Sequence, residues 1–290
     1  MKFGSILVCA VVSLALTLAT AAHGAVIYAA TAAGTFGELV TLDSATGAVV
    51  QSIGFTNDIG GSNYGITGMA FHPTTGVLYG SSANADPLTA AKLVTINPAT
   101  GEVTLIGLFN AGNPGTKPAT MTDLAFDANG NLYGVGSVGG PQLFSIDIVT
   151  GKATQIGTTG LTSTTGGGLS FGPDSTLYGT PTAGRFGTYN LTTGAFTNIV
   201  NPVKPAGGGY GALAFDETGT LYGLNVGAGT PPPSHLVRID PVTGTVTDIG
   251  ASLDQLDAIA IRVPEPASAA VAAMVMGFAT MTRRSRRKQS

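Results

Sequence analysis

The chain has 290 residues, of which 43% are hydrophobic and only 10% charged, with 43 Gly, 16 Pro, one Cys and no Trp. So few charges argue against bulk disorder and against a helical bundle, which draws on Ala/Leu/Glu/Lys stripes; the many Gly and Thr favour short strands joined by tight turns. Between residues 25 and 262, seven Lys and Arg face fifteen Asp and Glu, a formal charge of −8, and so cation-poor a surface excludes nucleic acid as a partner.

Residues 1–24 read as a secretory signal. Lys2 supplies the positive start, Ile6 to Leu18 the apolar stretch, and Ala22 and Gly24 the small residues that signal peptidase needs for a cut between Gly24 and Ala25. The stretch is short for a span of about 20 residues, which favours cleavage over anchoring. Cys9, the only cysteine, lies inside this segment, so the mature chain carries no thiol, disulfide or Cys-ligated metal.

From Ala25 onward one pattern recurs: a strand ending Leu-Ala-Phe, a polar turn, Leu-Tyr-Gly, a variable loop, Leu-x-x-Ile-Asp, x-x-Thr-Gly, then Thr-x-Ile-Gly. The cleanest copy runs Leu124-Ala125-Phe126, Leu132-Tyr133-Gly134, Leu143 to Asp147, Thr150-Gly151 and Thr154 to Gly157. The N-terminal copy opens late, at Val26-Ile27-Tyr28, without a first strand, and the far end supplies that strand alone as Ile259-Ala260-Ile261. Tyr28, Tyr79, Tyr133, Tyr178 and Tyr222 are spaced by 51, 54, 45 and 44 residues, the size of a four-stranded propeller blade. A ring needs no polar terminal caps if its last strand completes the first blade. The fold predicted is therefore all-β, a five-bladed β-propeller over residues 25–262 whose N- and C-terminal strands close one blade. The body resembles the broad bacterial family of extracellular propellers with Leu-Tyr-Gly and Ile-Asp-x-x-Thr-Gly repeats over residues 26–261. That resemblance implies the fold and no activity.

The repeated polar residues have structural readings. Gly47, Gly101, Gly151, Gly194 and Gly244 fall where a hairpin turn needs φ > 0. Asp43, Asn97, Asp147, Asn190 and Asp240 open those turns, where a short polar side chain accepts from the following N–H groups. One per blade keeps them too far apart for a shared Ca²⁺. The small residues Ala70, Ala125, Ser170, Ala214 and Ala260 suit a crowded axis. Two motif matches then dissolve. Gly168-Leu169-Ser170-Phe171-Gly172 has the nucleophile pattern, but Ser170 stands where other blades carry alanine. Gly134-Val135-Gly136-Ser137-Val138-Gly139 has a dinucleotide pattern, but Gly140-Pro141 follows where a helix should begin.

Short turns join strands one to two and three to four, whereas residues 81–92, 108–120, 158–166, 200–210 and 224–235 form longer connections. Because strands alternate in direction, all the long connections share one face, which is the predicted binding face. It holds Asp58, Asp86, Lys92, Lys117, Asp123, Arg185, His235, Asp254 and Asp257. Asp123 and Asp257 precede axial strands and point toward the channel mouth. They are candidates for Ca²⁺ ligation or for acid and base on a glycan, against the preferred reading of solvated loop caps. His72 and His235 fall on opposite faces and cannot share a metal.

At the far end, Pro264-Glu265-Pro266 precedes a 16-residue apolar run, Ala267 to Thr282, and then Arg283, Arg284, Arg286, Arg287 and Lys288. As a helix the run is about 24 Å long, usable against a bilayer core of about 30 Å, and the cations would hold that end on the cytoplasmic side. This three-part order resembles the PEP-CTERM sorting signal of Gram-negative bacteria, over residues 263–290. The resemblance implies transient anchoring by a transmembrane helix, cutting near Pro-Glu-Pro by the membrane protease exosortase, and release or transfer of the body to the cell surface. The run is richer in Ala and Met than in Leu, which weakens insertion without changing the order. The expectation is an exported, non-catalytic propeller without a cofactor, binding extracellular polysaccharide or a surface partner through its long-loop face. A glycosidase or lyase using Asp123 and Asp257, and a purely structural matrix component, are the competing classes.

Overall fold

Runs of four to seven residues that alternate side chains across a strand, punctuated by Asx-x-x-Thr-Gly turns, give twenty short strands and no helix among the described residues. The structure is a computed structural model describing residues 25–32, 37–82, 88–109, 120–136, 141–162, 167–181 and 184–262. The predicted signal and membrane segments, with Gly24, Pro264, Glu265, Pro266, Arg283, Arg284, Arg286, Arg287 and Lys288, lie outside these residues; Ala25 is the first described.

The strands are β1 (Val26–Thr31), β2 (Glu38–Leu42), β3 (Val49–Phe55), β4 (Ile66–Phe71), β5 (Leu78–Ser82), β6 (Lys92–Ile96), β7 (Val103–Leu108), β8 (Met121–Phe126), β9 (Leu132–Gly136) and β10 (Gln142–Ile146). They continue as β11 (Ala153–Thr158), β12 (Gly168–Phe171), β13 (Leu177–Thr180), β14 (Phe186–Tyr189), β15 (Phe196–Val200), β16 (Gly209–Phe215), β17 (Leu221–Val226), β18 (Ser234–Ile239), β19 (Val246–Ala251) and β20 (Leu256–Arg262). Four antiparallel sheets take consecutive quartets from β4 to β19, and the fifth has the order β20-β1-β2-β3. The innermost strands β20, β4, β8, β12 and β16 touch in sequence and return to β20, so the body is a five-bladed propeller closed by its last strand.

The core is not a single mass. It divides into five apolar slabs, each between neighbouring blades. Successive residues of one strand feed opposite slabs: Leu39 packs toward the second blade and Val40 toward the fifth. The repeat motifs meet across these interfaces. Tyr79, Tyr133 and Tyr178 of Leu-Tyr-Gly, and Tyr28 at the same place in the first blade, lie 5.2, 5.4, 5.5 and 5.4 Å (ring centroids) from Phe126, Phe171, Phe215 and Phe71 of the following blade. Such tilted pairs add about 0.5–1.5 kcal/mol each beyond their buried area. At the closing interface Ile261 stands in place of Phe, and Tyr222 packs in one slab with it.

The outer rim is tied by the other two motifs. Asp43 accepts at Oδ1 from the N–H of Ala45 and Thr46 at 3.0 and 2.8 Å, and Asp147 and Asp240 hold their turns in the same way. Gly47, Gly101, Gly151, Gly194 and Gly244 take the expected positive φ. The glycine ending Thr-x-Ile-Gly presses on the next blade's turn. A Cβ at Gly107 or Gly157 would lie 2.0 Å from the carbonyl oxygen of Thr150 or Thr193, and one at Gly250 would lie 2.3 Å from that of Thr46, across the closing seam.

Truncation after Gln255 should abolish the cooperative thermal transition of the body, because the first and fifth blades lose the strand between them; calorimetry reads this directly. Gly157→Ala should cost about 1–3 kcal/mol in a denaturant titration, the usual penalty for overpacking a backbone-to-backbone contact.

Candidate functional site at the axis and the long-loop face

Each inner strand presents a free edge to the axis, and its side chains there must be small. Ala70, Ala125, Ser170, Ala214 and Ala260 line an axial cavity of about 690 Å³ that opens among the short turns, with Phe71, Phe126, Phe171, Phe215 and Ile261 around it. Two residues earlier on the same side of each strand stand Gly68, Asp123, Gly168, Ala212 and Ala258. Asp123 is thus the only large side chain in a ring of glycine and alanine.

Its carboxylate crosses to the far side of the axis. Oδ1 accepts from the N–H of Leu124 at 2.9 Å, and Oδ2 accepts from Leu169 at 2.7 Å and Leu213 at 3.2 Å. Leu169 and Leu213 belong to β12 and β16, so one side chain satisfies free-edge donors of two other blades. Asp123 is fully buried. Burial raises its carboxyl well above the ordinary range, the three N–H donors oppose that, and the nearby Asp257 carboxyl adds to the rise. Ser170 does similar work lower on the axis, accepting from the N–H of Phe215 at 3.1 Å. No helix follows Ser170, so it is not a nucleophile elbow.

Asp257 owes its position to a β-bulge. The register skips Thr67 between Ile66 and Gly68, Thr122 between Met121 and Asp123, and Gly211 between Tyr210 and Ala212. Opposite β1 it skips Asp257 in the same way. Bulged residues are re-aimed out of the ladder. Thr67 Oγ1 donates to the Met121 carbonyl of the next blade at 2.7 Å. The Asp257 carboxyl instead lies over the Gly211 backbone, where a Cβ would come within 2.5 Å of Oδ1. It accepts no hydrogen bond among the described residues, and burial raises its pKa to about 7.

These findings correct the expectation that Asp123 and Asp257 are solvated loop caps. Asp123 is an axial cross-link and Asp257 a partly buried bulge carboxyl. The other long-loop residues do not converge on them. Asp58 is held inside its own loop by the Ser62 N–H at 2.8 Å and the Tyr64 hydroxyl at 3.2 Å, with Lys92 Nζ 5.7 Å from the Tyr64 ring centroid. His235 Nδ1 meets Asp248 at 3.1 Å. Arg185 and Asp254 are exposed, and Asp86 and Lys117 lie outside the described residues. His72 and His235 do sit on opposite faces: His72 is in a short turn, with Nδ1 accepting from the N–H of Thr74 and Thr75, and His235 is where a long loop enters β18. Among the described residues no three His, Cys, Asp or Glu side chains are grouped to hold a metal ion. The bulges, the Tyr–Phe pairs and the axial cavity escaped sequence reasoning. The Tyr–Phe pairing was detectable in principle, since both residues recur at a fixed offset from one copy to the next.

The chain belongs to the DUF6923 family, described as a repeat of unknown function, which matches residues 28–230. No curated protein matches it significantly. It is similar to a structural-genomics protein of unknown function from Bacteroides thetaiotaomicron, at 16% identity and TM-score 0.52, covering 77% of this chain and 54% of that one; the chain spans about half that protein's length. A protein of unknown function from Bacteroides caccae is similar at 14% identity and TM-score 0.46, covering 83% of this chain and 99% of that one. A catalytically inactive virginiamycin B lyase from Staphylococcus aureus, crystallised with quinupristin, is similar at 13% identity and TM-score 0.42, covering 74% and 66%. At these identities the likeness concerns the fold alone.

Asp123→Ala should cost at least about 2 kcal/mol in a denaturant titration, because three buried N–H groups lose their acceptor, and Asp123→Asn, which keeps an acceptor oxygen, should cost less. The Asp257 carboxyl keeps its proton in the folded protein up to pH of about 7 but ionises near pH 4 when unfolded. Its contribution is therefore whole below pH of about 4 and lost as pH rises to about 7. Asp257→Asn should match the parent's melting temperature at pH 4 and exceed it at pH 8.

Proposed function

We propose that the protein is an exported, exosortase-sorted propeller that binds extracellular polysaccharide or a surface partner through its long-loop face without catalysing a reaction. The observation that carries this reading is the state of Asp123. Its two oxygens accept three backbone N–H groups, so the nearest pair of carboxylates lacks a free partner for Asp257. What is left on that face is a set of loops standing on a rigid ring, with polar groups such as Asp58 and Lys92 among them, an arrangement suited to recognition. Export and sorting rest on the residues of the two terminal segments. A structural matrix component differs from this reading in associating with itself without a soluble ligand.

One observation favours a second reading, a glycan-active enzyme. Among the described residues the Asp257 carboxyl accepts no hydrogen bond, and burial raises its pKa to about 7, which suits it to proton transfer at neutral pH. Glycan hydrolysis lost in Asp257→Ala would support it, and unchanged activity would remove that assignment.

Screening residues 25–262 against an array of bacterial polysaccharides, with Ca²⁺ and with chelator, should give binding to at least one class. Lys92→Ala should weaken that binding about fivefold, or about 1 kcal/mol, at an unchanged melting temperature. Absence of any glycan binding, with concentration-dependent self-association instead, would favour the matrix component.

A further inference from the structure

Both ends of the described body leave it at one place. β1 and β20 are antiparallel neighbours, with Val26 opposite Arg262. Val26 and Arg262 line the axial cavity together with His72, Pro73, Thr75 and Gly76 of a short turn. Ala25 and Val26 also lie in a groove beside Asp43, Ser44, Pro98 and Ala99 of two outer turns. The chain therefore enters and exits on the short-turn face, opposite the long loops.

Beyond Arg262 only Val263-Pro264-Glu265-Pro266 precede the apolar run that starts at Ala267. Four residues reach at most about 14 Å fully extended, and the two prolines restrict them further. A domain of this length is about 45 Å across. So short a tether cannot let the body roll over.

We infer that, while the apolar run is inserted, the short-turn face is held against the lipid surface and the long-loop face points away from it. The inference rests on reading residues 263–290 as a membrane-inserted sorting signal, and it adds which surface that signal leaves open. The buried face also has a chemistry. Its outer turns carry Asp43, Glu102, Asp147 and Asp240 and its inner turns Asp127, Asp174, Asp216 and Glu217, against Lys152, Arg238 and Arg262. The Thr46 hydroxyl lowers the pKa of Asp43, and the N–H groups of Thr150 and Thr243 lower those of Asp147 and Asp240. These carboxylates stay ionised, and anionic lipid repels them. The tether, not adhesion, holds the body, and a cut beyond Arg262 releases it.

Cys9 falls in the signal, so a mature chain with one introduced cysteine has a single labelling site. Ala128→Cys lies in a short turn and Ile59→Cys, at a position 98% exposed, in a long loop. Each mature chain, running to Ser290, is labelled with a fluorophore and reconstituted into phosphatidylcholine–phosphatidylglycerol vesicles carrying a headgroup quencher. The label at 128 should lose most of its emission and the label at 59 little. Equal loss at both positions in a vesicle-bound chain, or the reverse order, overturns the orientation alone. A chain that does not bind vesicles overturns the anchor reading along with it. Cutting at a protease site inserted after Arg262 should restore emission at 128 and move the body to the supernatant; a body that stays on the vesicles overturns release.

Discussion

Each blade of this protein packs apolar side chains against a neighbour on both of its faces. A sheet that is apolar on both sides is stable only with a neighbour on each side, and a row of such sheets has unsatisfied faces until its ends meet. Closure is therefore the condition on which the rest of the structure depends. β20 supplies it twice, as the inner strand of the first blade beside β1 and as a wall of the slab shared with the fifth. The repeats serve that end. Tyr against Phe joins blades near the axis, and Gly against the Thr carbonyl joins them at the rim.

Five inner strands around one axis raise a second problem, that of their free edges. Unpaired N–H groups there are too crowded for another strand and too buried for bulk water. Side chains from other blades answer it in part. Ser170 takes the N–H of Phe215, and Asp123 takes those of Leu169 and Leu213. The second carboxyl, Asp257, shares the region without such donors among the described residues, and burial raises both acids above the ordinary carboxylate range. The axis opens at its short-turn end, and the chain's own ends emerge there. One face is thus tied to the terminal segments and the other carries the loops, a division of labour that follows from where the closing strand runs.

Much of this was readable from the residues alone. The copy number, the split blade, the turn chemistry at Asp43 or Asp147 and the small residues at the axis all follow from local rules applied to a repeated pattern. Repetition averages out the ambiguity of any single short strand. The opposite placement of His72 and His235 follows as well, from strand alternation alone. The candidate site was less legible. Asp123 and Asp257 were found, because two acids at the start of axial strands stand out in so uncharged a chain, but their environments were misjudged.

Periodicity, turn residues and strand direction can all be read along the chain, and they suffice for an all-β ring of five blades, its closing strand and the face on which the long loops gather. It takes the packed blades to show that Asp123 is a buried cross-link, that a bulge aims Asp257 over Gly211, and that both ends of the described body meet at the mouth of an axial cavity. Those facts depend on which side chains reach the backbone of other blades. A one-residue slip in the ladder, invisible in the pattern of residue types, is enough to change them.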